Sequence, residues 1–199
     1  MAANVDIDVG RVWMPPVPDD PAAVRLVLIS ECAARDARDD YGASERSEFD
    51  ATTLEAFAAA GLSVTSVGDL AARGIHLTVA VRHPKLRASI SAATIRTQAM
   101  TLAGELAQFP AATVYLLMGD VAIAAINHIA RLRTGKRAIP AGSTYRIRDG
   151  AYSLGGIRLL PSYLQAGPAW RIEASKREMI TEDIVTALSL AQILPSEPR

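Results

Sequence analysis

Apolar residues in this chain fall into two kinds of run that alternate. Residues 24–30 (Val-Arg-Leu-Val-Leu-Ile-Ser), 76–81 (His-Leu-Thr-Val-Ala-Val), 113–118 (Thr-Val-Tyr-Leu-Leu-Met) and 157–160 (Ile-Arg-Leu-Leu) are short and aliphatic, with little regard for alternation. That is the pattern of strands covered on both faces of a parallel sheet. Between them the apolar positions recur at helical spacing: Ile95, Ala99, Leu102 and Leu106 within 91–108, Val121, Ala125, Ile129 and Leu132 within 119–132, and Ile180, Ile184, Leu188 and Ala191 within 173–191. Each set makes one face of an amphipathic helix. Two shorter helices are predicted earlier, one from a cap at Asp50 or Thr52 through Ala60, stopped by Gly61. The other covers 66–73, with Asp69 as the acidic partner of a capping box and Gly74 as its stop. Strands alternating with helices predict an α/β fold, a three-layer αβα sandwich around a mostly parallel four-stranded sheet. At 199 residues the chain is long enough for one sizeable core, so residues 24–194 are read as a single domain.

The punctuation then places the chemistry. Residues 1–23 carry Pro15, Pro16, Pro18 and Pro21 beside Asp19 and Asp20, which predicts an extended arm, flexible or wrapping, rather than a packed element. Residues 135–155 are basic and rich in Gly, and are read as irregular. Pro161 has no amide hydrogen, so the fourth strand is expected to end there. Ligands of open α/β sheets bind beyond the carboxyl ends of the strands. Those ends carry Glu31 and Cys32 after the first strand, Arg82, His83, Pro84 and Lys85 after the second, Gly119 and Asp120 after the third, and Pro161, Ser162, Tyr163, Leu164 and Gln165 after the fourth.

Charge changes the picture more than composition does. The formal net charge is zero, yet acids outnumber bases before Gly61 and the balance reverses from Arg131 to Arg177. Arg133, Lys136, Arg137, Arg146, Arg148, Lys176 and Arg177 in that basic half suit DNA phosphates, or form a solvated face that pairs with the acidic half. Cys32 is the only cysteine, which excludes a disulfide framework within the chain. No signal-peptide pattern and no bilayer-length apolar run is present. The expectation is a cytoplasmic monomer without a membrane partner. His76 and His83 show no metal-ligand spacing, so neither a metal nor another cofactor is expected.

The order of elements, the turn Leu-Leu-Met-Gly-Asp-Val-Ala at 116–122 and the terminal run Leu160-Pro161-Ser162-Tyr163-Leu164-Gln165 resemble the uracil-DNA glycosylase superfamily over residues 24–191. That family ends its fourth strand in His-Pro-Ser-Pro-Leu-Ser, and Pro, Ser and Leu coincide here. Its first motif, Gly-(Gln/Glu)-x-Pro, falls on Ser30-Glu31-Cys32-Ala33, where Glu31 fits. The resemblance implies hydrolysis of the bond between a flipped base and its sugar, as in base excision repair of DNA. Carried onto this chain, it implies that Glu31 orients the water, that Ser162 touches phosphate or backbone, and that Leu164 wedges into the duplex. Leu160 stands where the family has its anion-stabilising His. Thr78 and Val79 stand where its base-reading Asn is expected, and Ala33 where its Pro is.

Every candidate has a second reading. Glu31 caps a following turn or acts on substrate. Cys32 is a nucleophile or a buried small hydrophobe. Tyr41 and Phe49 stack on a base or anchor a loop. Leu164 is a wedge or a tucked loop residue. Two functional classes follow: a DNA-base N-glycosidase, and a noncatalytic module that keeps the fold to bind nucleic acid or a nucleotide. The first expects Glu31, Thr78, Gly119 and Ser162 to line one cleft.

Overall fold

The computed structural model describes residues 6–45 and 47–194. Five strands and seven helices follow one another as β1 (Leu26–Ala33), α1 (Glu48–Ala59), α2 (Val67–Ala72), β2 (Ile75–Pro84), α3 (Ala92–Leu106), β3 (Val114–Met118), α4 (Asp120–Thr134), α5 (Thr144–Ile147), β4 (Tyr152–Leu154), β5 (Ile157–Ser162), α6 (Ala169–Ile172) and α7 (Ala174–Leu190). The strands form one sheet in the order β2-β1-β3-β5-β4, parallel except for β4, which pairs antiparallel with β5. The sheet therefore has five strands, not four. The fifth was hidden because β4 is three residues long and joined to β5 by the tight Gly155-Gly156 turn, which reads from sequence as irregular.

Helices cover both faces, making a three-layer α/β sandwich. Leu26, Leu28, Leu116 and Met118 face the layer of Phe57, Leu70, Ile184 and Leu188. Their strand neighbours Val27, Ile29, Tyr115 and Leu117 face Leu102, Leu106, Ala122 and Ile126. Both sides of each central strand are covered, which is why the strands read as unbroken apolar runs. Each large side chain so buried stabilises the fold by roughly 1.5–3 kcal/mol relative to exposure. Leu132, expected on the inner face of α4, is exposed at 59%.

Two strand ends differ from expectation. β2 runs on through Arg82 and His83, whose side chains are engaged: Arg82 donates to Glu105 at 2.8 Å, and His83 Nδ1 lies 2.9 Å from the Arg11 carbonyl. β5 passes through Pro161 to Ser162. The Ser162 carbonyl accepts from Gly119 N at 3.0 Å, so the backbone of Pro161 faces the other way, where β4 has already ended.

The described part of the amino-terminal arm lies along the β2 side. Ile7 bridges to Lys85, Trp13 N donates to Arg82 O at 2.8 Å, and Arg11 pairs with Asp40. Residues 1–5, part of the predicted arm, lie outside the described residues. Among the described residues no helix is long and apolar enough to cross a membrane.

Candidate functional site

The chain crosses over between β1 and β3. From β1 it moves outward to β2, then returns past β1 to β3, which makes the carboxyl edge between these two strands the topological switch point. β1 overhangs β3 there: Ile29 pairs with Leu117, while Cys32 and Ala33 pair only with β2. Glu31 projects over the turn at Gly119. A Cβ on Gly119 would lie 2.6 Å from Glu31 Oε1, and the glycine has φ +101°. Both facts exclude any other residue without rearrangement.

The Glu31 carboxylate is held from two sides. Oε1 accepts from Val121 N in the first turn of α4 at 3.4 Å, and Oε2 lies 3.3 Å from Lys85 Nζ at the end of β2. No side chain of α4's own cap residue serves this helix start, so Glu31 is its cap. The side chain remains 15% exposed, and a carboxylate has about four acceptor positions, which leaves lone pairs toward solvent. They face a cleft with two lobes. One, of about 500 Å³, is lined by Glu31, Cys32, Arg35, Phe49, Lys85 and Arg87 among others. The second, of about 330 Å³, is lined by Glu31, Gly119, Asp120, Thr144, Tyr163 and Lys176 among others. Leu164 borders both.

Of the expected site residues, Glu31, Cys32, Phe49, Gly119, Tyr163 and Leu164 come together at this cleft. Leu164 is half-buried and packs against the core where the two lobes meet. Cys32 borders the cleft with its thiol packed beside Ile7 and Val81. Burial, aided by the Glu31 charge, pushes the thiol up to about 12, so it is a small hydrophobe and not a nucleophile.

Thr78, Tyr41, Pro161, Ser162 and Gln165 are buried away from it. Thr78 sits in mid-strand opposite Ile29 because β2 continues to Pro84. Its hydroxyl lies beside Glu105, short of a hydrogen bond of ordinary geometry. The Ser162 hydroxyl donates to Asp183 at 2.6 Å. Gln165 Nε2 donates to Tyr41 at 2.8 Å and to Thr53 at 3.1 Å, and Ser30 Oγ lies 2.8 Å from the Tyr41 hydroxyl. This closed polar network ties the loop after β5 to α1. Burial pushes the Tyr41 phenol up to about 12, and its ring meets Phe49 edge-on at 5.3 Å. Tyr41 is thus a loop anchor.

The basic half does not form one surface. Arg133, Lys136 and Arg137 lie at the far end of α4, a helix of 15 residues and thus roughly 22 Å long, that runs back from the cleft edge. Arg148 is held by Asp183 at 2.9 Å and Glu182 at 2.8 Å, with its side chain only 10% exposed. Arg146 is exposed on α5, and Arg177 donates to the Arg171 carbonyl at 3.3 Å. Lys176 alone of the set reaches the cleft, pairing with Glu173 at 2.8 Å and lying over the Tyr163 ring.

Sequence reasoning gave no role to Lys85, Asp120, Arg35 or Arg87. The first two were legible as charged residues at strand ends, and only the strand order makes those ends neighbours. Among the described residues no group of three His, Cys, Asp or Glu side chains is placed to hold a metal ion. The chain matches no protein-family model and no curated protein.

Proposed function

We propose that this protein is a DNA-base N-glycosidase of the uracil-DNA glycosylase type, hydrolysing the bond between a deaminated base flipped out of DNA and its deoxyribose, in the service of DNA repair. The observation that carries the reading is Glu31: a carboxylate fixed by the Val121 amide and Lys85 at the switch point, with free lone pairs facing a cleft. The parallel strand order β2-β1-β3-β5, with helices on both faces, agrees with the three-layer α/β architecture on which this reading rests.

In this reaction the bond from C1′ to the base nitrogen breaks and its electron pair leaves with the base. The sugar becomes positive, and Glu31 stabilises it. The water that Glu31 orients adds its oxygen to C1′ and gives a proton to the carboxylate. Leu160 is buried in the core and offers nothing to the departing anion. Lys85, 3.3 Å from Glu31, is one of the cations lining the cleft with Arg35 and Arg87, and one preorganised donor to the anion is worth about 3–4 kcal/mol.

The test is base release from labelled oligonucleotides carrying uracil, hypoxanthine or xanthine, single- and double-stranded, at low salt. Release of one base, abolished in Glu31→Gln, is the expected result; release that survives the substitution refutes the role of Glu31. A second reading, a noncatalytic nucleic-acid or nucleotide-binding module, is favoured by the fact that capping α4 is already a complete structural role for Glu31. Salt-dependent DNA binding with no release from any substrate would select it.

A further inference from the structure

A second set of cations gathers in a groove between α3 and α4, separate from the cleft. Arg96 of α3, His128 and Arg131 of α4, and Arg137 of the segment that follows line a depression of about 130 Å³, to which Ile95 and Ala124 add apolar surface. Arg137 is brought there by the way α4 ends. Gly135, at φ 75°, closes the helix in the left-handed conformation, and the chain doubles back along it. Asn127, only 1% exposed, clamps the returning segment: its Nδ2 donates to the Ile139 carbonyl at 3.0 Å, and its Oδ1 accepts from Ile139 N at 2.9 Å. Ile139 is itself fully buried. Arg137, two residues earlier, therefore starts from a fixed backbone beside the middle of α4.

No carboxylate answers these charges. Among the described residues the side chains of Arg96, Arg131 and Arg137 make no ion pair and no hydrogen bond, and no acid lines the groove. The helix dipole accounts for Arg131, in the last turn of α4, where a cation is favoured. It gives nothing to Arg96, in the second turn of α3, which lies towards the positive end of that helix and has no acid in the first turn beside it. All three cations are arginine, whose planar fork of donors matches a tetrahedral oxyanion. Three positive charges beside a half-buried imidazole favour a phosphate group, with its charge of roughly −1.5 to −2, over a carboxylate. The depression is well under the roughly 300 Å³ of a site for a drug-sized ligand, so the ligand is small. We propose that this groove binds the phosphate group of a small phosphomonoester, held by Arg96, Arg131 and Arg137 with His128 beside it, and with the organic part on Ile95 and Ala124. Binding here is expected whether or not the cleft releases a base.

The experiment titrates the full chain by calorimetry, at constant ionic strength, with phenyl phosphate, inorganic phosphate and benzoate. Phenyl phosphate is expected to bind one site per chain. Arg96→Ala, Arg131→Ala and Arg137→Ala, all at exposed positions, are each expected to weaken it by about tenfold or more, the worth of a hydrogen bond to a charged group. The double variant Arg35→Ala with Arg87→Ala, in the cleft, leaves its affinity unchanged. Benzoate, a monoanion with the same ring, binds more weakly by about tenfold or more, and inorganic phosphate, which lacks the ring, binds more weakly than phenyl phosphate. Affinity lost in the cleft variant and kept in the three groove variants overturns the site, as does benzoate binding as tightly as phenyl phosphate. Inorganic phosphate binding as tightly as phenyl phosphate assigns the groove to free phosphate and overturns the ester. No binding of either phosphate overturns the inference outright, and DNA binding weakened by the groove variants would then assign these arginines to a polyanion track instead.

Discussion

Gly119→Ala measures how tightly the Glu31 site is built. At φ 101° and ψ 168° Gly119 occupies a region that residues with a Cβ scarcely enter, and holding one there costs about 1–3 kcal/mol. The added methyl would also meet Glu31, 2.6 Å from Oε1, 2.8 Å from Cγ and 2.9 Å from Cδ. These contacts reach back to Cγ, so rotation of the carboxylate alone does not relieve them. Either Glu31 leaves the Val121 amide or the turn opens, and α4 loses its cap, worth about 1 kcal/mol. The sum is about 2–4 kcal/mol from these two sources. Gly135→Ala is the matched control: its φ is +75°, and a Cβ there meets nothing within 4 Å, so only backbone strain of about 1–2 kcal/mol applies. Urea denaturation of both variants gives the difference, and base release reads the site. Displacement of a positioning group by an ångström costs about 100-fold in rate, so Gly119→Ala is expected to lose release by that order while Gly135→Ala keeps it. Equal destabilisation of the two variants, with release intact in both, would refute the argument that Gly119 exists to admit Glu31.

Other consequences follow from groups outside the cleft. Arg148→Met leaves Asp183 buried without its cation, so a loss of about 3–5 kcal/mol in denaturant unfolding is expected, largely recovered when Asp183→Asn is added; a single-variant loss under about 1 kcal/mol would contradict it. Thr78→Val is expected to change stability by less than about 1 kcal/mol, since its hydroxyl makes no ordinary hydrogen bond, and to leave base selectivity unchanged; altered selectivity in the release assay would restore Thr78 as a base reader. Burial works to raise the Asp6 pKa, but hydrogen bonds from Ser91 and Thr94 outweigh it and hold the carboxyl below 3.8. Its folded value is thus the lower one, so the stability it contributes is present above the unfolded value and is lost as pH falls through the folded value. The amide resonances of Leu86 and Ser91 should therefore titrate with a midpoint below that of an ordinary aspartate, and Asp6→Asn should remove that titration; a midpoint above the ordinary aspartate value would contradict the hydrogen bonds from Ser91 and Thr94.

Central strands and long helices were legible because they are covered on defined faces. The aliphatic run ending at Ile29 and the spacing of Ala99, Leu102 and Leu106 state their environment directly. The ends of strands were less so. Arg82 and His83 read as loop residues because their partners, Glu105 and the carbonyl of Arg11, are remote in sequence. β4 was missed because three residues beside a glycine pair carry no period. Glu31 could be chosen from its place after an aliphatic run, and Gly119 from its place before a helix. The burial of Gln165 and Tyr41 could not be read, because what satisfies each polar group is the other, brought together only by the fold. The basic half misled for the complementary reason: nearness in sequence from Arg133 to Arg148 is not nearness in space, and Arg148 is spent on α7.

The most direct measurement of the central claim is single-turnover base release by the unsubstituted protein and by Glu31→Gln, at protein concentrations that saturate the same duplex in a parallel binding titration. The account predicts release of a deaminated base by the former, none by the latter, and equal occupancy of the DNA. Release at the same rate from both, or no release from a fully occupied duplex, would contradict it.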